Sequence, residues 1–410
     1  MRLVGNVIER DIVVVGAGPV GLTAALAVRA TGRAVTVVEA GARNRVRPGS
    51  RAIFLHRVTL ELFGSIRSGL GAELVRRGLA WRTRRILYRG REVYRKIYRP
   101  PATGAFPFAT NLPQVVTEAI LLQACLKAGV EFVWNAEVTA VRTDAEGATL
   151  DVADGNAVRA RYAIGADGAR SVVRESAGLH LEGPRTSNAY VIVDTAEDPD
   201  EPLPLERVFH YEHPQVGFRN VLLVPFAGHW RVDLQCHPGD DPDAFSSEAG
   251  VRGWLARVMP ARYADRVTWV SSYVFRQAIG SALTDPTRHV LLVGEAAHVF
   301  APFGARGLNS GVADALMAAR AIDAALGAGT REAAARAVQD FADARRAAAA
   351  RNRAASSAAL THLQAASPAR RTVRYVAARL APVVPPLGRW LDRAPFGPRL
   401  GAPDRYGMFY

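Results

Sequence analysis

Glycines and acids cluster three times in this chain. The first cluster is GAGPVG, Gly16 to Gly21, with Pro19 inside it and an acid, Glu39, 18 residues beyond its last glycine. The second is GADGAR, which carries Asp167, Gly168 and Arg170. The third is VGEAAHVFAPFGARGLNSGVADA, Val293 to Ala315. It opens on Gly294 and Glu295 and carries Pro302, Gly304, Gly307, Leu308 and Asn309. Glycines spaced as in the first cluster suit a pyrophosphate. Gly16 permits a tight turn, Gly18 lets backbone approach the phosphates, and Gly21 lets a helix pack close. A helix start beyond them offers unsatisfied N–H groups and partial positive charge to an anion. Glu39 suits the two hydroxyls of a ribose. The chemistry is dinucleotide binding, and this pattern alone does not choose between NAD and FAD.

Such residues need strands to carry them. Ile12 to Val15 reads as a β-branched strand, LTAALAVRATG as a helix, and AVTVVEA as a second strand ending at Glu39. GADGAR follows the strand AVRARYAIG, and the third cluster follows HVLLV. Three glycine-rich loops at strand ends can converge on one long ligand at a sheet's switch point. The third loop is longer than the two to six residues, roughly, of a plain strand-to-helix connection. Leu308, Asn309 and Ser310 begin its helix, and Val312, Leu316, Ala319 and Leu326 form an apolar stripe that holds the helix to a core.

Elsewhere a helix is expected from about Gln114, followed by a β-meander with a tight turn at Asp154-Gly155. Residues 183–284 change style. Alternating segments such as ERVFHYEH, FRNVLLVPF, HWRVDLQCH and RVTWVSSYVFRQ predict a mixed or antiparallel sheet, with one helix near GVRGWLARVM. Residues 311–366, rich in Ala and Arg, are mostly helical in propensity. The tail is interrupted by Pro382, Pro385 and Pro386. The expected fold class is α/β. A discontinuous, Rossmann-like dinucleotide-binding domain covers 1–75, 104–182 and 285–366. A sheet-rich substrate domain covers 76–103 and 183–284, and a helical C-terminal tail covers 367–410.

The 410 residues carry a formal charge of +14. Only Lys96 and Lys127 are lysines; the other 50 basic residues are Arg. With abundant Ala, this bias fits GC-rich codon usage better than selection for charge. Basic and aromatic residues interleave between Arg76 and Arg99, in the manner of a nucleic-acid surface. We read the stretch as an antiparallel pair with a solvated face, turning at Arg89-Gly90, and expect no nucleic-acid partner. Cys125 and Cys236 form no CxxC, and no metal site is expected. No uncharged run outside the glycine-containing Ile12–Val28 segment approaches the ~18 residues of a spanning helix, so no stable membrane insertion and a cytoplasmic location are expected.

The three motifs together resemble those of the class A flavin monooxygenases, the family of p-hydroxybenzoate, phenol and hydroxyphenylpropionate hydroxylases. The resemblance runs from about Asp11 to Gly327. GAGPVG with Glu39 resembles the FAD fingerprint. IGADGARSVVR resembles a motif implicated in FAD and NAD(P)H binding, and the third cluster resembles the family's flavin loop and helix. Arg51 and Gln114 fall where the family places an Arg and a Gln against FAD. The resemblance implies that NADPH or NADH visits transiently to reduce FAD and that O2 adds at flavin C4a. The hydroperoxide then passes one oxygen to an aromatic, phenolic or polycyclic substrate of secondary metabolism. One departure is Glu295, where the family has Asp; its arm is about 1.5 Å longer. Reduced flavin is anionic near its pyrimidine end, which the helix start at Leu308 would stabilise.

A phenol reacts better as phenolate, so a substrate base is sought. Tyr190, His210, Tyr211, His213, Arg219, His237, Tyr273 and Arg276 lie in the sheet region, and His210 or Tyr211 are the favoured candidates. His298 lies within the flavin-loop motif and is read as structural. Other reactions stay open on the same cofactor: epoxidation, Baeyer–Villiger insertion or dehydrogenation. So does a non-catalytic flavin-binding protein. A monomer or homodimer is expected, without an extra C-terminal domain.

Overall fold

The β-branched run Ile12 to Val15 ends the strand Val7–Val15, at the centre of a seven-stranded sheet. This computed structural model describes residues 7–45 and 47–398. Residues 1–6 of the first expected domain, Val46 of the basic loop and 399–410 of the tail lie outside the described residues. Five strands of the sheet run parallel, in the order Glu131–Trp134, Thr36–Glu39, Val7–Val15, Ala157–Gly165 and Val290–Leu292. In the inner strands Val7–Val15, Ala157–Gly165 and Val290–Leu292 the residues at the sheet centre are buried on both faces, which is why they read as unbroken apolar runs. The helix Pro19–Ala30 packs between Gln114–Lys127 and Arg306–Leu326. The meander Val138–Asp144 and Gly147–Val152 adds two antiparallel strands beside the first half of Ala157–Gly165.

A second seven-stranded sheet runs in the order Val267–Arg276, Arg185–Ala196, His229–Gln235, Arg219–Phe226, Glu206–His213, Thr83–Tyr88 and Arg91–Ile97. The Arg-rich stretch supplies its last two strands, which turn at Arg89-Gly90 with positive φ at both residues. Alternation sorts the two faces. Val191, Val193, Val221, Leu223, Val232 and Leu234 pack on Trp254 and Leu255 of the helix Glu248–Val258. The opposite face turns toward the first sheet's loops. Ser50 joins the two halves: its N–H and hydroxyl donate to Asp194 Oδ2 at 3.1 and 2.5 Å, and Arg231 Nε donates to Asp194 Oδ1 at 3.2 Å.

The C-terminal region is helical. The helix Arg331–Gln364 follows Arg306–Leu326, and two shorter helices, Pro368–Leu380 and Pro385–Arg393, complete the tail. Pro385 opens a helix instead of breaking one, because the first helical residue has no intrahelical use for an N–H. Arg374 donates to Glu212 at 2.6 Å and Arg84 pairs with Asp392, both buried, so the tail is latched to the second sheet. Among the described residues no helix is long and apolar enough to cross a membrane.

Candidate functional site

The three glycine clusters meet at the carboxyl ends of adjacent parallel strands. Gly16 (φ 101°) follows Val7–Val15, and a Cβ there would lie 2.7 Å from the Ala166 carbonyl oxygen. A Cβ on Gly21 would lie 1.9 Å from the Gly16 oxygen. Val20, between them in the helix, presses on Gly294 and Gly311, where added Cβ atoms would meet its methyls at 3.1 and 2.5 Å. Residues more than 270 positions apart are thus packed into one corner, and only glycine fits the contacts.

Gly18 differs. The nearest atom to a Cβ there is Arg47 Nη1 at 3.9 Å, so packing does not require glycine. Gly18 caps the helix Pro19–Ala30 with no side-chain hydrogen bond, and Pro19 takes the first helical position. The first-turn N–H groups therefore point outward without a side-chain cap, as an anion site needs. Glu39 is 8% exposed; its Oε2 accepts from Ala17 N at 2.6 Å and its Oε1 from Gly41 N at 2.9 Å. Arg45 Nη2 stands 3.6 Å from Glu39 and donates to the Ala17 carbonyl at 2.8 Å. Each Glu39 oxygen keeps accepting capacity for a diol. Arg45, which the sequence reading passed over within a basic loop, orients this acid.

The second cluster builds a turn. Asp167 accepts from Ser171 Oγ at 2.5 Å and from Val173 N at 3.1 Å, and Gly168 (φ 84°) turns the chain beside it. Burial pushes the Asp167 carboxyl up, against these two hydrogen bonds. Its side chain therefore shapes the loop between Gly165 and the helix Val172–Ser176.

In the third cluster Glu295 is exposed on the open side of the corner. Crowding by the surrounding protein nevertheless pushes its carboxyl up, opposed by His298 and Arg51. The Arg51 guanidinium is thus near enough to Glu295 to pull on it. Arg51 itself sits at φ 52°, held by Arg231, which donates to its carbonyl at 2.5 Å. Gln114 flanks the same segment: its N–H donates to the Ser50 carbonyl at 2.8 Å, and its Nε2 to Glu118 at 2.8 Å.

Pro302 is exposed, and its carbonyl accepts from Ala305 N at 2.9 Å. Gly304 (φ 80°) packs against the tail, where a Cβ would lie 2.8 Å from the Phe396 carbonyl oxygen. Gly307 does face open space. The helix Arg306–Leu326 starts with no side-chain cap, and Leu308 lies half-buried in its first turn. The Asn309 side chain is wholly internal: Oδ1 accepts from His56 N at 3.0 Å and Thr59 Oγ1 at 2.6 Å, and Nδ2 donates to Phe54 and Ala305 carbonyls. The Asn309 side chain thus pins the helix start to Phe54, His56 and Thr59.

The favoured substrate bases are engaged elsewhere. Tyr211 is fully buried; its hydroxyl donates to the Leu391 carbonyl at 2.8 Å and lies 2.9 Å from His362 Nε2. Burial pushes that phenol far up. His210 Nε2 accepts from Gly90 N at 2.8 Å, and burial beside His213 pushes the imidazole down to about 3. Both residues fasten the second sheet to its surroundings, and neither has a group free to take a substrate proton. Among the described residues no cluster suits a metal ion.

These features fit FAD on the structure's own terms: an uncapped helix start at an open Gly18, a buried acid with spare lone pairs, and a second uncapped helix start at an open Gly307. Residues 9–357 match the FAD binding domain family. The chain is 33% identical over 317 residues to 6-methylpretetramide 4-monooxygenase of Streptomyces rimosus, covering 74% of this chain and 54% of that protein. It is 29% identical over 325 residues to 3-(3-hydroxy-phenyl)propionate/3-hydroxycinnamic acid hydroxylase of Mycobacterium avium (strain 104), covering 75% and 53%. The chain thus spans about half the length of these curated relatives. Among solved structures, p-nitrophenol 4-monooxygenase from Pseudomonas putida DLL-E4 superposes with a TM-score of 0.76 at 25% identity, covering 96% of this chain and 100% of that one. Aklavinone-11 hydroxylase, solved with FAD and aklavinone, gives 0.72 at 25% identity, covering 88% and 70%. With its glycine corner, its acid at Glu39 and a family match over most of its length, the chain belongs to the class A FAD-dependent aromatic monooxygenase family.

Proposed function

We propose that this chain is an FAD-dependent monooxygenase that consumes NADH or NADPH and O2 to hydroxylate a phenolic or polycyclic aromatic small molecule. The observation that carries the reading is the meeting of three glycine clusters at neighbouring strand ends, Val20 against Gly294 and Gly311 and Ala166 against Gly16 and Gly21, with two uncapped helix starts open beside them. Gly18 and the first-turn N–H groups after Pro19 would hold the pyrophosphate, and Glu39 the adenosine ribose. Glu295, opposed by Arg51, would meet the ribityl chain. Gly307, Leu308 and the backbone of Asn309 would face the pyrimidine end of the ring. FAD, once bound, supplies the reductive activation of dioxygen at C4a. The chain's own residues bind it, orient it and wall the substrate from water. Relatives named for 6-methylpretetramide, a hydroxyphenylpropionate and p-nitrophenol support an aromatic substrate.

The test is oxygen incorporation. The FAD-loaded chain is given NADPH or NADH, labelled dioxygen and a panel of phenols and polycyclic phenols. One labelled oxygen atom per product molecule is expected. Reductant consumption that stays uncoupled from any oxygenated product across the panel would contradict the proposal.

A further inference from the structure

The tail helix Pro368–Leu380 is apolar over more of its circumference than it buries. Arg374, Ala377 and Ala378, with Ala381 just beyond, face the protein. Val373, Val376 and Leu380, spaced i, i+3 and i+7, form a second stripe beside them and are 57%, 45% and 43% exposed. Leu387 and Trp390 of the helix Pro385–Arg393 line the same groove as Val373 and Val376. The turn between the two helices continues the stripe. Val383 is 75% exposed, and Pro382, Val384, Pro385 and Pro386 are exposed around it. A contiguous apolar surface of this kind marks a protein or membrane interaction site.

The turn is built to leave water. From Pro382 to Leu387 no side chain donates or accepts a hydrogen bond. Pro382, Pro385 and Pro386 have no N–H. The remaining N–H groups are used internally: Val383 N and Val384 N donate to the Leu380 carbonyl at 3.0 and 2.8 Å, and Leu387 N to the Val384 carbonyl at 3.0 Å. Backbone donors must be satisfied before a segment can enter an apolar phase, and here they are. The prolines thus rule out one long in-plane helix and shape an apolar tip instead. Arg374 with Glu212 and Arg84 with Asp392 fix both helices to the second sheet, so the tip is held in place.

The charge around this surface has one sign. No Asp or Glu stands between Asp343 and Asp392. Arg370, Arg371, Arg379 and Arg389 are exposed. Arg371 reaches the Ala366 carbonyl at 3.4 Å, Arg379 lies over the Tyr375 ring at 5.8 Å, and none of the four meets a carboxylate among the described residues. The strand Arg91–Ile97, whose Tyr94 packs on Gly388, adds exposed Arg91 and Arg95. Its acid, Glu92, is already held by Arg85 at 2.6 Å and Arg95 at 2.9 Å.

We propose that this pair of tail helices docks on an anionic lipid surface. Val383, Val384 and Trp390 enter below the headgroups, and Arg379 and Arg389, on either side of the turn, pair with lipid phosphates. Arginine stems can lie on the apolar layer while their guanidinium groups stay at the headgroups. The docking is peripheral, since no helix among the described residues can cross a membrane. A second copy of the chain suits the surface less well, because a two-fold interface would set its arginines against one another. A protein partner would find no side chain on the turn to bond with. The docking needs neither substrate nor turnover and stands apart from the hydroxylase reading.

The test is sedimentation of the FAD-loaded full chain with vesicles of phosphatidylcholine, alone or mixed with an equal part of phosphatidylglycerol. Saturable pelleting with the mixed vesicles is expected at low salt, weaker with added salt and weaker with phosphatidylcholine alone. Val383→Ser with Val384→Ser should lower the partition coefficient on the order of 100-fold. Arg379→Gln with Arg389→Gln should lower it roughly 30-fold. Lipids brominated in the acyl chain should quench the chain's fluorescence, and Trp390→Phe should remove most of that quenching. FAD content and circular dichroism should be unchanged in every variant. An unaltered chain that does not pellet with the mixed vesicles would overturn the proposal, as would pelleting that neither pair of substitutions weakens. A chain that ignores vesicles but forms a dimer abolished by Val383→Ser with Val384→Ser would overturn it in favour of a second copy. One that ignores vesicles but binds an acidic amphipathic peptide would overturn it in favour of a protein partner.

Discussion

His298 Nε2 lies 2.6 Å from Asp314 Oδ2, in a core where both side chains are 1% exposed. Arg345 Nε donates to Asp314 Oδ1 at 2.6 Å, and Gly294 N donates to Asp314 Oδ2 at 3.1 Å. One carboxylate thus ties the entrance of the flavin loop to the helix that follows it and to the long helix Arg331–Gln364.

Removing that carboxylate should loosen the loop. Asp314→Ala is expected to cost roughly 3–5 kcal/mol, the usual penalty for stranding a buried charge, measured by urea unfolding. Burial pushes the Asp314 carboxyl up, but Arg345 and His298 override it and bring it down to about 2. A depressed carboxyl contributes fully above the ordinary range near pH ~4 and less as pH falls toward 2. The stability gap between the unaltered chain and Asp314→Ala should therefore be constant from pH 5 to 7, on the ~4 reference value, and narrow in acid.

Two glycines three residues apart should fail differently. Gly21→Ala places a Cβ 1.9 Å from the Gly16 oxygen, so its folding should suffer, seen as a lowered Tm. Gly18→Ala has room within the protein, the nearest atom being 3.9 Å away. It should keep its Tm and lose FAD affinity. A Gly18→Ala variant that binds FAD unchanged would argue against a pyrophosphate at that turn.

Glu39→Gln replaces one acceptor oxygen by an NH2 group that faces Ala17 N or Gly41 N. Hydrogen bonds to charged groups contribute about 1.5–3 kcal/mol. FAD affinity should drop about 10- to 100-fold, read by flavin fluorescence on titrating the apoprotein.

The tail latch is a stability element. Glu212 accepts from Arg374 at 2.6 Å, Arg89 at 2.8 Å and Tyr88 at 2.9 Å. Arg374→Ala should cost roughly 3–5 kcal/mol in urea unfolding. Proteolysis should then cleave first near the helix Pro368–Leu380.

The parts legible in sequence were those written in backbone requirements. The turn at Gly16, the close packing at Gly21 and the buried acid at Glu39 could be read because they follow at fixed spacing along one βαβ unit. The covered face of the second sheet was not legible. In HWRVDLQ, Trp230, Val232 and Leu234 alternate with Arg231, Asp233 and Gln235, which reads as a solvated face. That face is covered by the flavin loop and by the Ser50 segment, contacts between residues more than a hundred positions apart. His210 and Tyr211 drew attention for their chemistry, but the bulge between His210 and His213 and the docking of the tail decide where they point. A Cβ on Gly304 would meet the carbonyl oxygen of Phe396, a tail residue 92 positions away, which no local pattern announces.

The most direct measurement is FAD uptake by the folded apoprotein, followed by absorbance and fluorescence. The glycine corner predicts saturable binding of one flavin per chain, a yellow product, and loss of that binding in Gly18→Ala with Tm preserved. A folded chain that stays colourless with FAD in excess would contradict it.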